Sequence, residues 1–113
     1  MTSISVSDYR RKCAEYIREA LKRPRMHYRS LEELEAILSG HQIAFEQLGV
    51  IGREESFHQE FVEWLRRTRQ APGSAGWACA IKSLTIEEAD PEQLFGKLVE
   101  EFLEQWEDCK RTA

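Results

Sequence analysis

The sequence predicts an all-α protein, one irregular bundle of four or five helices over residues 1–113, and three observations carry that expectation. Apolar residues recur at spacings of three and four with almost no strict alternation, the signature of helices that bury one stripe. Serine or aspartate stands just ahead of each of four apolar runs, where a side-chain oxygen can satisfy the free N–H groups of a first turn. Proline and glycine fall between the runs, where they end helices.

The first helix is expected to start at Ser5 or Ser7 and to reach Lys22, with Tyr9, Cys13, Tyr16, Ile17, Ala20 and Leu21 on one face and Arg10, Arg11, Arg18 and Glu19 opposite. Pro24 stops it, because proline disfavours helical geometry in the residue before it. Residues 23–29 form a connector with Met26 and Tyr28 as anchors. Ser30 and Glu33 have capping-box spacing and open a second helix. Its stripe is Leu31, Leu34, Ile37, Leu38, His41, Ala44, Phe45 and Leu48, and Gly49 and Gly52 end it. Gly40 lies inside this helix, where glycine costs about 1 kcal/mol against alanine. Either a neighbouring helix packs close there or the helix bends.

Ser56 and Gln59 repeat the capping pattern and open a third helix, whose Phe57, Phe61, Val62, Trp64 and Leu65 form the bulkiest apolar face. It ends near Arg69. The small residues from Gln70 to Gly76 form a loop and the expected site of disorder or proteolysis. A short helix follows through Trp77, Ala78, Ala80, Ile81 and Leu84; its spacing favours helix over strand. Asp90 and Pro91 start the last helix, which reaches Asp108 with Leu94, Phe95, Leu98, Val99, Phe102, Leu103 and Trp106 inward. No internal repeat is visible.

Composition narrows the function. A chain of 113 residues with 32% charged residues and 11 aromatics is one domain with enough apolar surface for a core and too many aromatics for a disordered tail. No apolar run is long enough to span a membrane, and the N-terminus lacks the apolar block of a secretory signal. Three widely spaced cysteines, Cys13, Cys79 and Cys109, fit neither a disulfide framework nor a zinc site; they point to small buried side chains in a reducing, cytoplasmic compartment. Neither cofactor nor metal is expected.

The net charge of −4 hides an asymmetry. Residues 1–30 carry eight Lys/Arg against three acids, whereas residues 85–109 carry nine acids against Lys97 alone. Nucleic acid is not an expected partner, since the acidic block opposes phosphate contact and no recognition motif accompanies the arginines. The acids Glu100, Glu101, Glu104, Glu107 and Asp108 are expected on the outside of the last helix, several of them at the negative end of its dipole, where carboxylates are mildly unfavourable. A local rule broken without a local reward marks a place to look for function.

Catalytic constellations are weak. His27, His41 and His58 are scattered, and His41 in its apolar stripe reads as a core residue. His58 with Glu54 or Glu55 is the nearest thing to an acid-base pair, and Cys79 has no histidine beside it in sequence. Adjacent glutamates on a helix diverge, although Glu60 and Glu63 share a face. The expectation is therefore a binding protein rather than an enzyme.

An outline of matching positions runs from residue 23 to 106. It consists of Arg23, Pro24 and Met26; Leu34, Ile37 and Gly40; Phe61 and Trp64; Gly76 and Trp77; and Phe95, Leu98 and Phe102. In this outline the chain resembles a diffuse group of small helical proteins from bacterial toxin and immunity loci, with Arg25 where the group usually has glycine. The resemblance implies an immunity protein whose partner is a cognate toxin. An acidic surface suits a toxin with a basic cleft, such as a nuclease, because complementary charge speeds capture. Under that reading the binding residues are Glu87, Glu88, Asp90, Glu100, Glu101, Glu104, Glu107 and Asp108, with Tyr28 as an exposed aromatic anchor. The chain would act as a monomer or a homodimer. The alternative is a homodimeric adaptor in which the basic first helix of one copy meets the acidic last helix of another.

Overall fold

The computed structural model describes residues 5–23, 26, 28–71, 76–85 and 90–108, with the side chains of Glu107 and Asp108 outside the description. These residues form five α-helices and no strand: α1 (Val6–Lys22), α2 (Leu31–Gln47), α3 (Phe57–Arg69), α4 (Trp77–Leu84) and α5 (Pro91–Asp108), with a 3-10 turn at Arg53–Glu55. None of the described helices is long and apolar enough to cross a membrane.

Each helix starts where a polar oxygen meets its free N–H groups. At α1 the cap is Ser5: its hydroxyl accepts from the Asp8 N–H at 3.2 Å, and the Asp8 carboxylate accepts from the Ser5 N–H at 2.9 Å. At α2 the Ser30 hydroxyl accepts from the Glu33 N–H, but the Glu33 carboxylate reaches past Ser30 to the Arg29 N–H at 2.9 Å. Ser56, buried at the head of α3, accepts from the Gln59 N–H, and Asp90 accepts from the Glu92 N–H at the head of α5.

The end of α2 depends on Gly49, which has φ of +76°. Its N–H donates to the Glu46 carbonyl and that of Val50 to the Phe45 carbonyl, so two otherwise free carbonyls are satisfied by a left-handed turn that glycine adopts without strain.

The core is an aromatic cluster between α3, α4 and α5. Trp77 stacks on Phe95 with ring centroids 4.8 Å apart, Phe57 on Phe61 at 5.1 Å, and Phe102 on Trp106 at 5.5 Å. Tyr9 extends the cluster to α1 through edge contacts with Phe45 and Trp106. Arg10 lies by Trp106, Arg18 by Glu100, and Leu21 by Gly96, so α1 runs antiparallel to α5. The basic and acidic blocks of the sequence are thereby neighbours within one chain.

Several expectations are corrected. Met26 does not anchor the connector; it is 75% exposed, whereas Tyr28 is buried. On α2 only Leu31, Leu34 and Leu38 are fully buried, while Ala44 and Leu48 face solvent; in its C-terminal half Tyr16 of α1 packs against His41 and Tyr9 against Phe45, on the side of the helix away from the exposed surface of Ala44 and Leu48. A Cβ added at Gly40 would meet nothing within 4 Å, so none of the described helices packs close there. Arg10 is not on a solvated face, since its side chain is held against Trp106. Cys13 is buried as expected; Cys79 is exposed, and Cys109 lies outside the described residues.

Candidate protein-binding surface

The expected site residues divide by where the fold puts them. Glu100, Glu101 and Glu104 are exposed on the outer face of α5. Glu107 and Asp108 belong to its last turn, with side chains outside the description, and Glu87 and Glu88 fall outside the described residues. Asp90 is exposed but committed to capping α5. Tyr28 is buried with 4% of its surface accessible, so it offers no anchor to a partner; its large ring instead fills the core beneath the connector.

The outer acids are partly paired by arginines of the same chain. Arg18 Nε lies 3.5 Å from Glu100 Oε1, and Arg69 reaches Glu101 at 3.3 Å while its guanidinium covers the Trp64 ring. Glu104 has no ion pair among the described residues.

Beside this face α3 and α5 enclose a groove of about 390 Å³. Glu54, Glu60 and Glu63 line one side, and Phe102, Gln105 and Trp106 the other, with Arg67 also at the wall. Glu101 stands one turn before Gln105 on α5, so the acidic face and the groove adjoin. Among the lining residues is the half-buried Glu60. Its carboxylate accepts from the Trp106 indole N–H and from Arg10 at 3.4 Å, and the Arg10 guanidinium lies 5.6 Å from the Trp106 ring centre. Burial pushes the Glu60 carboxyl above its usual range, against the opposing pull of the Trp106 hydrogen bond and the Arg10 charge.

Phe102 and Trp106 are themselves buried in the floor of the groove, so what it offers a partner is its carboxylates, which suit the cationic side chains of a protein partner. The sequence holds a partial signal for it: Glu60 and Glu63 share a helix face. The pairing of Glu60 with Trp106 and Arg10 is a tertiary contact across three helices and leaves no trace in local spacing.

The expected acid-base pair takes a different form. His58 Nδ1 lies 3.7 Å from Glu35, a residue of α2, not from Glu54 or Glu55. Glu35 accepts from the Ala78 N–H at 3.3 Å, so its carboxylate serves as the cap of α4, whose own N-cap, Gly76, has no side chain. Burial pushes the Cys13 thiol up to about 12, far from the thiolate that nucleophilic chemistry needs. Among the described residues no group of three His, Cys, Asp or Glu is placed to hold a metal ion.

Fold and surface together define an all-α bundle with a carboxylate-lined groove. Comparison with protein families, curated proteins and solved structures finds no match.

Proposed function

We propose that the chain is an immunity-type binding protein, which captures a basic surface of a cognate bacterial toxin and covers that toxin's active or substrate surface. The observation that carries this reading is the acidic outer face of α5 adjoining the carboxylate-lined groove against α3. Acidic charge steers a basic partner into encounter, and the carboxylates along the groove can accept hydrogen bonds from its cationic side chains. Arg18 and Arg69 do not close the face to a partner. Exposed ion pairs contribute about 0–1 kcal/mol, so an incoming guanidinium competes for the same carboxylates. The outline shared with small proteins of toxin and immunity loci supports the same reading.

The homodimeric adaptor has less in its favour. Its rationale was a basic α1 free to meet the acidic α5 of another copy, and here Arg10 and Arg18 already lie against Trp106 and Glu100 of their own chain.

Co-expression with the product of the gene immediately upstream tests the proposal. The expected result is rescue of growth and a complex whose association slows steeply as salt rises. An upstream product that is harmless, or that stays toxic in the presence of this chain, overturns it.

A further inference from the structure

The carboxylate of Glu35 brings three helices to one point. From α2 it accepts the Ala78 N–H at the head of α4 at 3.3 Å, where Gly76 has no side chain to do so, and its Oε2 lies 3.7 Å from His58 Nδ1 in the first turn of α3. The first contact is a hydrogen bond; the second, at 3.7 Å, is too long for one. Yet His58 Nδ1 is shut off from solvent and has no hydrogen-bond partner among the described residues.

A buried ring nitrogen without a partner is unfavourable in either neutral tautomer. With the proton on Nε2, the Nδ1 lone pair faces a carboxylate. With the proton on Nδ1, a neutral N–H stops short of its acceptor. A second proton removes the conflict, because the imidazolium carries both an N–H and a charge at Nδ1, and the carboxylate beside it attracts both.

We propose that His58, Glu35 and the first turn of α4 form a proton-operated clasp. The protonated imidazole closes on Glu35 and fixes the carboxylate that caps α4; the neutral imidazole leaves that carboxylate to the Ala78 N–H alone. What the clasp holds in place is α4, whose Trp77 stacks on Phe95 and meets Phe57 and Phe61 edge-on. None of His58, Glu35 and Ala78 lines the groove of α3 and α5, so the clasp neither needs nor excludes the toxin-binding reading.

The surroundings set the sign. Among the described residues Glu35 is the only carboxylate within ion-pair distance of His58. Glu32, about one turn earlier on α2, is paired with Lys82 of α4. In the 3-10 turn that leads into α3, Glu55 accepts from the Gly52 N–H, while Arg53 and Glu54 are exposed. The positive ends of α3 and α4 oppose a cation here, and the α4 end is already turned to Glu35. Protonated His58 thus gains a partner in the folded chain. Its contribution to stability is present below the ordinary imidazole value, about 6.5, and is lost as pH rises above it.

A double-mutant cycle of His58→Gln and Glu35→Gln, read by urea unfolding at about pH 5.5 and about pH 8, tests the clasp on the full chain. Glutamine at position 35 keeps an acceptor for the Ala78 N–H, and the cycle cancels the other titrating groups. The expected coupling is about two- to fivefold in the folding constant at the lower pH, as for a partly exposed ion pair, and none at the higher. Hydrogen exchange at the lower pH should show the α4 amides of His58→Gln less protected than those of the wild type by the same factor. No coupling at the lower pH, equal coupling at both, or unchanged protection of α4 overturns the proposal.

Discussion

The phenol oxygen of Tyr9 accepts a hydrogen bond from the backbone N–H of Phe57 at 2.8 Å, across 48 positions of sequence. That N–H belongs to the first turn of α3 and has no partner within its own helix. A side chain of α1 therefore completes the start of α3, and burial holds the Tyr9 hydroxyl protonated far above the usual range of a tyrosine.

Tyr9→Phe is accordingly expected to destabilise the fold by about 1–3 kcal/mol, the cost of leaving a buried N–H unsatisfied. Urea titration should show a lower midpoint with an unchanged slope. A midpoint equal to that of the wild type means the N–H finds water or another acceptor.

Gly76 caps α4 with φ of +93° and has the Glu35 carboxylate where a Cβ would stand. Gly76→Ala is expected to cost about 1–3 kcal/mol through strained backbone, with displacement of Glu35 adding to it. The diagnostic comparison is Gly76→Ala in a Glu35→Ala background. Removing the carboxylate should relieve the crowding and leave only the backbone cost, so the two substitutions together should cost less than their separate effects combined.

Gly40→Ala should act in the opposite direction. With open space at the Cβ position, it gains helix propensity and is expected to raise stability by about 1 kcal/mol. Thermal melts of dilute protein measure this, and a lower melting point would show that the backbone at Gly40 departs from ordinary helix.

The Glu60 carboxyl binds a proton more readily folded than unfolded, because burial disfavours its charge. Its contribution to stability is thus greatest below the usual glutamate range, near 4.5, and falls as pH rises from there through the raised folded value. Asp8 acts in the reverse sense. Its carboxylate is held below its usual range chiefly by the Ser5 N–H, then by Arg11, so its contribution is present at neutral pH and fades in acid. Glu60→Gln should isolate the first effect. Relative to the wild type, this variant is expected to gain stability between about pH 4.5 and 7, read as urea midpoints at the two ends. A difference that does not change with pH would place the Glu60 carboxyl in its ordinary range.

Charge neutralisation separates steering from anchoring in the proposed toxin complex. Glu100→Gln, Glu101→Gln and Glu104→Gln together are expected to slow association about tenfold at low salt and to flatten its salt dependence, with little change in dissociation. Stopped-flow mixing with the toxin gives both rates. An unchanged association rate would remove the acidic face of α5 from the encounter.

The sequence by itself determined the elements. Ser30, Ser56 and the Asp90–Pro91 pair locate three helix starts to the residue, and the first is narrowed to Ser5 or Ser7, because a cap is a local bond between an oxygen and an N–H three or fewer positions away. The inward stripe of α5, from Phe95 to Trp106, follows as directly from helical period. What a stripe buries against is not local, and there the structure decided. The apolar pattern of α2 runs on to Leu48, yet Ile43, Ala44 and Leu48 are exposed, and only the packed faces decide where the core ends. Nor does linear order fix the destination of a charge. The basic block at residues 1–30 and the acidic block at the other end look like two poles, but antiparallel packing of α1 on α5 sets Arg18 against Glu100 and Arg10 against Trp106 and Glu60. Short-range hydrogen bonding and period are written in neighbouring residues. Burial and ion pairing are settled by which faces meet, and that is a property of the packed chain.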